Sequence, residues 1–297
     1  MYPRGFHYHR ANSLHEASAL LSDLGSEARL LAGGQSLIPL MKLRFTSPQH
    51  LVDLSFVPRA SYIKEEGGAL HFGALTCHAD IQDSPIADKI PIVHDCAAGI
   101  ADVQIRNRGT IGGSVAEADP SGDWAPVLLT LTSEVHCVTD KTSRVIPFSE
   151  FIKDAYTTAL KAHEVIREVV VKIPPRGSGG AYVASKRCAP VYASASVAVQ
   201  LTMEGDTCRD AAVALGTVGL TPVRVSDAES SLRGQRLDAK MIDRVADAAQ
   251  AAADPQTDMR GSVEYKRALV AALTKRAIQI AARRARGEQV KAGHYYA

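Results

Sequence analysis

The fold is decided at two glycine-rich stretches, AGGQSLIP at residues 32–39 and GTIGGSVA at residues 109–116. Each stretch places two adjacent glycines beside small polar residues. Because glycine has no Cβ, the backbone there can approach a bulky anion closely and can adopt φ > 0. Successive amides then point into one concavity, which suits an anion. Two such turns predict a site that grips a diphosphate from both sides.

The same stretches also have a plainer interpretation, since a pair of glycines is often only a tight turn. Neither stretch matches the G-x-G-x-x-G pattern of a Rossmann dinucleotide site, and the chain has no P-loop motif. The first stretch runs from a short buried strand at residues 29–32 into a helical turn at 36–41, whose N-terminus favours an anion. The second, over Thr110–Ala116, is expected to be a loop.

Outward from these stretches, hydrophobic periodicity predicts an α+β fold. Ser13 is expected to cap a helix that stops at Gly25, and Asp123 is positioned to cap another over Trp124–Leu131. Further strands are predicted at 51–54, 69–73, 135–139, 165–173, 181–185, 194–201 and 210–217, and helices at 239–253 and 263–286. Residues 81–99 are predicted to be mostly helical, with breaks at Pro85 and Pro91. Residues 174–180, rich in proline and glycine, are predicted to be a loop. Strands and helices alternate irregularly, which favours α+β over a doubly wound sheet.

The composition is that of a globular protein. Of the 297 residues, 46% are hydrophobic and 22% are charged, which excludes a mainly disordered chain. The 34 Lys and Arg residues oppose 32 Asp and Glu residues, so no general attraction to nucleic acid or to an anionic membrane is expected. At about 100–200 residues per domain, the length indicates two domains.

Cysteine usage indicates a reducing compartment. The cysteines are Cys77, Cys96, Cys137, Cys188 and Cys208, and no C-x-x-C pattern occurs. We therefore expect buried or half-buried thiols, and no disulfide framework, zinc site or iron–sulfur cluster on this chain. No apolar signal segment is visible at the N-terminus, and no apolar run approaches the ~20 residues of a membrane span. A cytoplasmic protein is expected.

Both glycine-rich stretches resemble a known family. AGGQSLIP, followed by MKLR at 41–44, resembles the first flavin motif of the medium subunit of molybdenum hydroxylases of the carbon monoxide dehydrogenase and xanthine dehydrogenase family. IRNRGTIGGS at 105–114, followed by ADP at 118–120 and GD at 122–123, resembles its second motif. The resemblance implies a two-part FAD-binding domain of the PCMH/vanillyl-oxidase-like type over residues 1–176, with subdomains at roughly 1–57 and 58–176. A smaller C-terminal domain over residues 177–297 would combine an antiparallel sheet with helices.

The resemblance also implies which residues bind FAD. By position in the family, the first stretch cradles the pyrophosphate, the second holds its other side, an acidic residue binds the nucleotide half, and two further residues face the flavin ring. In that order these residues are Ala32, Gly33, Gly34, Gln35, Ser36 and Leu37; Thr110, Gly112, Gly113 and Ser114; Asp123; and Ile100 and Tyr192. Gln35 cannot form the covalent flavin bond of a histidine, so FAD is expected to be non-covalent.

Three of these residues have a plain structural interpretation as well. Asp123 can also be explained as a helix cap alone, Ile100 as a core residue alone, and Tyr192 as a surface or interface aromatic alone. The chain also departs from the family near Tyr192, where Pro190-Val191 stand in place of a Gly-Asp pair and Ala184 in place of a lysine, although Lys186 is close by.

The function implied is that of an electron-transfer subunit. Partners in the family are a small subunit with two [2Fe-2S] clusters and a large subunit with the molybdenum cofactor, in a dimer of heterotrimers. Electrons would pass through the clusters to FAD and on to a quinone, NAD, a carrier protein or oxygen. No catalytic acid–base residue and no metal ligand on this chain is implied. Two alternatives stay open: a stand-alone flavin oxidoreductase with its own substrate pocket, and a non-redox module that binds a nucleotide diphosphate.

Overall fold

The chain has the expected α+β architecture; its described residues form two larger sheets and a two-stranded sheet in the N-terminal domain and one five-stranded sheet in the C-terminal domain. The computed structural model describes residues 2–293 and the backbone of Tyr295–Tyr296. Within these residues, no helix combines the length and the apolar character that crossing a bilayer requires. All five cysteines are free, and Cys188 is exposed rather than buried or half-buried as expected.

The first sheet is small and parallel. Its strands lie in the order β1-β3-β2: β1 (His7–Arg10), β2 (Ala28–Leu31) and β3 (His50–Asp53). Helix α1 (Leu14–Leu24) begins as predicted, because the Ser13 hydroxyl accepts a hydrogen bond from the Glu16 amide at 3.0 Å. The first glycine-rich stretch follows β2 and leads into the short helix α2 (Leu37–Lys42).

The second sheet is antiparallel and has helices on one face. Its strand order is β4-β5-β10-β6-β7: β4 (Ile63–Glu66), β5 (Ala69–Gly73), β6 (Ser133–Val138), β7 (Ser143–Pro147) and β10 (Val165–Lys172). The helices around it are α3 (His78–Gln82), α4 (Pro91–Gly99), α5 (Val103–Arg106), α6 (Ile111–Glu117) and α7 (Trp124–Thr130). A small hairpin, β8 (Ile152–Asp154) and β9 (Thr157–Thr158), completes this part. The core between sheet and helices includes the buried rings of Phe72, Trp124 and Phe148.

The second glycine-rich stretch forms helix α6, so the prediction of a loop there was wrong. Thr110 is the N-cap, and its hydroxyl accepts a hydrogen bond from the Gly113 amide at 3.1 Å. Position 112 of this helix needs a glycine, because a Cβ there would come within 2.6 Å of the Ala74 carbonyl oxygen. The glycine therefore permits close packing of α6 on its neighbour rather than a turn.

The C-terminal domain is a five-stranded sheet covered by helices. The strand order is β14-β13-β12-β11-β15: β11 (Ser178–Lys186), β12 (Ala195–Glu204), β13 (Thr207–Gly216), β14 (Val223–Arg224) and β15 (Tyr295–Tyr296). The helices are α8 (Ser226–Leu232), α9 (Ala239–Ala252) and α10 (Val263–Ala285). Strand β11 begins at Ser178, inside the segment predicted to be a loop, since Ser178–Gly180 pair with β12.

A buried ion pair joins the last helix to the N-terminal domain. The Arg284 guanidinium of α10 donates to both carboxylate oxygens of Asp95 in α4, at 2.5 and 2.9 Å, and to the Gly180 carbonyl at 2.6 Å. Both charged side chains are almost completely buried. Helices α4 and α10 are therefore held together by a bidentate contact at the domain seam.

Glu168, on the outer face of β10, is a buried carboxylate with several donors. It accepts hydrogen bonds from the Tyr62 hydroxyl at 2.7 Å and from Arg167 at 2.5 Å, and the Nδ1 atoms of His71 and His136 lie 3.0 and 3.1 Å from its oxygens. Burial alone would raise the pKa of Glu168, but the hydrogen bonds and the Arg167 charge outweigh burial and lower that pKa from 4.5 to about 2.

The Glu168→Gln variant should therefore be less stable than the wild type at neutral pH, by about 1–3 kcal/mol. Because the folded-state pKa lies below the unfolded-state value, the stabilisation is complete above about pH 5 and is lost as the pH falls towards 2. Thermal unfolding of both proteins across this range measures the difference. A difference in Tm that does not change with pH would contradict this account of the carboxylate.

Candidate functional site

The first glycine-rich stretch presents a run of unengaged backbone amides. In the part of the chain that the structure describes, four consecutive amides donate no hydrogen bond to another protein group; they belong to Gly33, Gly34, Gln35 and Ser36. Gly34 has φ +74°, which only glycine adopts readily. The Gln35 side chain donates to the Gly33 carbonyl at 3.1 Å and closes the turn. Amides without a protein acceptor, in residues that are at least partly exposed, are donors of the kind that an anion requires.

The second stretch is built differently from the prediction. Its amides are already used: Ile111 donates to Thr76, Gly112 to Ala74, and Gly113 and Ser114 to Thr110. None of its glycines has a positive φ. What this stretch offers to a ligand is therefore not a second set of amides but the hydroxyls of Thr110 and Ser114 and the bare surface of Gly113.

The two stretches touch each other. A Cβ built on Gly33 would lie 2.1 Å from the Arg108 carbonyl oxygen and 2.8 Å from the Cα of Gly109. On the second stretch, a Cβ built on Gly113 would point towards Ala32, 3.9 Å from its Cβ. The structure thus brings together residues that lie far apart in sequence, in one cradle lined by backbone.

Asp123 occupies the N-cap position of α7, as predicted, but its side chain makes no cap hydrogen bond. Its carboxylate belongs instead to a buried polar network. One carboxylate oxygen accepts from the Tyr182 hydroxyl at 2.7 Å and from the Lys186 ammonium at 3.3 Å. Lys186 also donates to the Gly99 carbonyl at 2.5 Å. Burial and the Asp123 charge raise the pKa of Tyr182 far above its usual value.

A neutral histidine connects this network to the second stretch. His78 is buried, its amide donates to the Gly109 carbonyl at 3.0 Å, and its Nδ1 accepts from the Trp124 indole at 3.2 Å. Burial lowers the pKa of His78 to about 4, so the imidazole is uncharged at neutral pH. The indole hydrogen bond places the imidazole proton on Nε2.

The two residues predicted to face the ring have different surroundings. Ile100 follows α4 and packs into the main core, with 9% of its surface exposed. Tyr192 is 47% exposed and has the Arg260 guanidinium 5.9 Å from its ring centre. Burial of its hydroxyl and the neighbouring Asp119 carboxylate raise the pKa of Tyr192. The contact of either residue with a flavin stays a prediction.

Sequence reasoning missed three polar residues of this region: Tyr182, His78 and Arg260. Tyr182 lies on a strand and His78 is an isolated histidine, so neither stood out by spacing. Lys186 is close in sequence to Ala184, which stands in place of a family lysine. Ala184, at the departure itself, is fully buried, and the long Lys186 side chain on the same face of β11 reaches the Gly99 carbonyl.

Comparisons with known proteins agree along the whole chain. Residues 4–175 match the family described as FAD binding domain in molybdopterin dehydrogenase, and residues 180–281 match the CO dehydrogenase flavoprotein C-terminal domain. The chain is 39% identical to the carbon monoxide dehydrogenase medium chain of Hydrogenophaga pseudoflava, over 95% of this chain and 98% of that one. It is 35% identical to the glyceraldehyde dehydrogenase medium chain of Sulfolobus acidocaldarius, over 94% and 99% of the two chains.

A solved structure shows the same fold. The carbon monoxide dehydrogenase from Hydrogenophaga pseudoflava that lacks the Mo-pyranopterin moiety of its molybdenum cofactor contains a chain that superimposes with a TM-score of 0.92. The two chains are 39% identical, and the match covers 95% of this chain and 98% of the other. The described residues therefore have the fold of that chain.

Proposed function

Since this chain belongs to the family of FAD-binding medium subunits of molybdenum hydroxylases such as carbon monoxide dehydrogenase, we propose that it transfers electrons through FAD. FAD would be held without a covalent bond between the two glycine-rich stretches. Electrons would arrive from the [2Fe-2S] clusters of a small partner subunit and leave to an external acceptor. Oxidation of the substrate would take place at the molybdenum cofactor of a large partner subunit, in a dimer of heterotrimers.

The observation that supports this best is the run of four unengaged amides at Gly33–Ser36, pressed against the second stretch. A pyrophosphate carries negative charge and oxygen acceptors, and the amides supply matching donors. The absence of a Cβ at Gly113, whose built position is 3.9 Å from the Ala32 Cβ, would let such a group approach the backbone there. The residues present therefore fit the diphosphate of a dinucleotide.

FAD supplies the redox chemistry, and the chain's own residues bind and orient it. The amides of the first stretch would fix the phosphates, while Thr110 and Ser114 would donate from the opposite side. Asp123, held by Tyr182 and Lys186, keeps its carboxylate in one orientation from which an oxygen can accept from a ligand hydroxyl. No acid–base residue of this chain needs to act on the substrate.

The substrate would be selected elsewhere in the complex. Relatives with similar identity to this chain, 39% and 35%, are named for carbon monoxide and for glyceraldehyde. Medium subunits of nearly the same structure would thus assemble with different large subunits, and the large subunit would determine which substrate is oxidised.

Purification of the assembled complex under mild conditions tests the proposal. We expect FAD, iron and molybdenum to co-elute in a fixed ratio with this chain and two partner chains. Anaerobic addition of the large subunit's substrate should bleach the flavin absorbance near 450 nm, and removal of the iron–sulfur subunit should prevent that bleaching. Turnover by the isolated chain would instead indicate a stand-alone oxidoreductase. A folded complex without flavin would indicate a module that binds a different diphosphate.

A further inference from the structure

Several segments of the chain meet at one polar cluster directly after helix α6. Asp119 follows the helix, and its carboxylate accepts from the hydroxyl of Tyr156, in the turn between β8 and β9, at 3.4 Å. The same carboxylate lies near the Tyr192 hydroxyl, and burial together with this carboxylate raises the pKa of that hydroxyl. Arg260 donates through Nη1 to the hydroxyl oxygen of Ser121 at 2.9 Å. Tyr192 and Arg260 come from the C-terminal domain, so the cluster joins both domains beside the second glycine-rich stretch.

Arg260 is anchored from behind by its own domain. Its Nε lies 3.3 Å from one carboxylate oxygen of Asp258, whose other oxygen is 2.8 Å from the buried Lys266 ammonium. Its backbone carbonyl accepts from the Ser194 hydroxyl at 2.9 Å. Because Asp258 fixes the Nε end of this guanidinium, its planar face and its remaining donors keep one orientation.

The orientation of the Tyr192 ring depends on its contact with the Arg260 guanidinium. With 47% of its surface exposed, the side chain would otherwise exchange between rotamers on a fast timescale. The Arg260 guanidinium carbon is 5.9 Å from the ring centre, within the range of a cation–π contact. The Arg260 contact therefore restrains the ring from its face, while the Asp119 carboxylate neighbours its hydroxyl end.

We propose that Arg260 is a positioning residue of the flavin site, which locks Tyr192 and the Ser121 segment in one arrangement and thereby slows the release of FAD. This inference rests on the proposed function, because it takes Tyr192 to close over the bound cofactor. Arg260 acts through Tyr192 and touches neither the glycine-rich stretches nor the Asp123 network in the contacts described above.

A double-mutant cycle on the purified complex tests the proposal. The rate of FAD release is followed as the gain of free-flavin fluorescence at fixed temperature. Arg260→Gln should raise this rate about three- to tenfold, the range that corresponds to a lost cation–π contact. In a Tyr192→Ala background, where release is already fast, Arg260→Gln should change the rate less than twofold. Arg260→Lys keeps the charge but not the planar fork, so its rate should lie between those of wild type and Arg260→Gln.

Arg267→Gln is the matched control. Arg267 lies in the same domain and donates to the Ala253 carbonyl at 3.1 Å, away from the cluster, so its loss should leave the release rate unchanged. An equal acceleration by Arg260→Gln with and without Tyr192, or no acceleration at all, would overturn the proposal. Absence of FAD from the wild-type complex would contradict the proposed function itself, which is a separate outcome.

Discussion

Replacement of Gly33 by valine is expected to reduce the FAD content of the purified complex to less than about one tenth of the wild-type value. A Cβ on Gly33 would lie 2.1 Å from the Arg108 carbonyl oxygen and 2.8 Å from the Cα of Gly109. Contacts this short can be relieved only if the two glycine-rich stretches move apart, and overpacking of this kind costs typically about 1–3 kcal/mol or more. FAD released by denaturation and the Tm are measured together.

A second substitution separates loss of the site from loss of the fold. Gly113→Ala adds a Cβ that meets only the Thr110 hydroxyl, at 2.9 Å, and Ala32, at 3.9 Å. It also replaces a helical glycine by a better helix former, worth up to about 1 kcal/mol. We expect this variant to remain folded and to lose FAD. Gly5→Val, with nothing within 4 Å of the added Cβ, is the control. Full FAD retention by folded Gly33→Val and Gly113→Ala proteins would disprove the site.

Loss of the Lys186 ammonium should destabilise the chain more than loss of most other lysines. Lys186 and Asp123 are both buried, with side-chain exposures of 3% and 8%, and the ammonium lies 3.3 Å from the carboxylate. Lys186→Met removes the ammonium and leaves the Tyr182 hydroxyl as the side-chain donor to this carboxylate among the described residues. Breaking a buried pair from one side typically costs about 3–5 kcal/mol, and we expect a fall in Tm of roughly 6–15 °C.

Two comparisons make this prediction specific. The double variant Lys186→Met/Asp123→Asn carries no buried charge at this position, so it should recover part of the lost Tm. Lys275, 2.6 Å from Asp243 in an exposed pair, is the control, since solvent screens such a pair and Lys275→Met should leave the Tm nearly unchanged. If Lys186→Met is as mild as Lys275→Met, the buried pair does not contribute as argued.

The bounds of a helix or strand could be predicted where they depend on residues close by in sequence. The Ser13 cap and the stop at Gly25 define helix α1 as predicted, and strand β5 has the predicted bounds, Ala69–Gly73. The second glycine-rich stretch could not be predicted in this way. Its helix depends on the space beside Ala74, which exists only after the sheet and the helix have packed together.

The candidate site could likewise be predicted only where short stretches of sequence mark it. The two glycine-rich stretches stand out in the sequence, and the structure places them in contact. The residues that support the site from the C-terminal domain, such as Tyr182 and Arg260, contact partners more than 50 residues away in sequence. Hydrophobic periodicity and short motifs carry no information on such distant pairings.

The buried Arg284–Asp95 ion pair between the two domains limits which domains of related chains can be combined. A chimaera that joins the N-terminal half of this chain to the C-terminal half of a relative keeps the buried Asp95 carboxylate but takes the residue at the position of Arg284 from the relative. A relative without a cation there would leave that carboxylate buried and unpaired, which is strongly destabilising. We therefore expect such a chimaera to fold best when the relative supplies an arginine at this position.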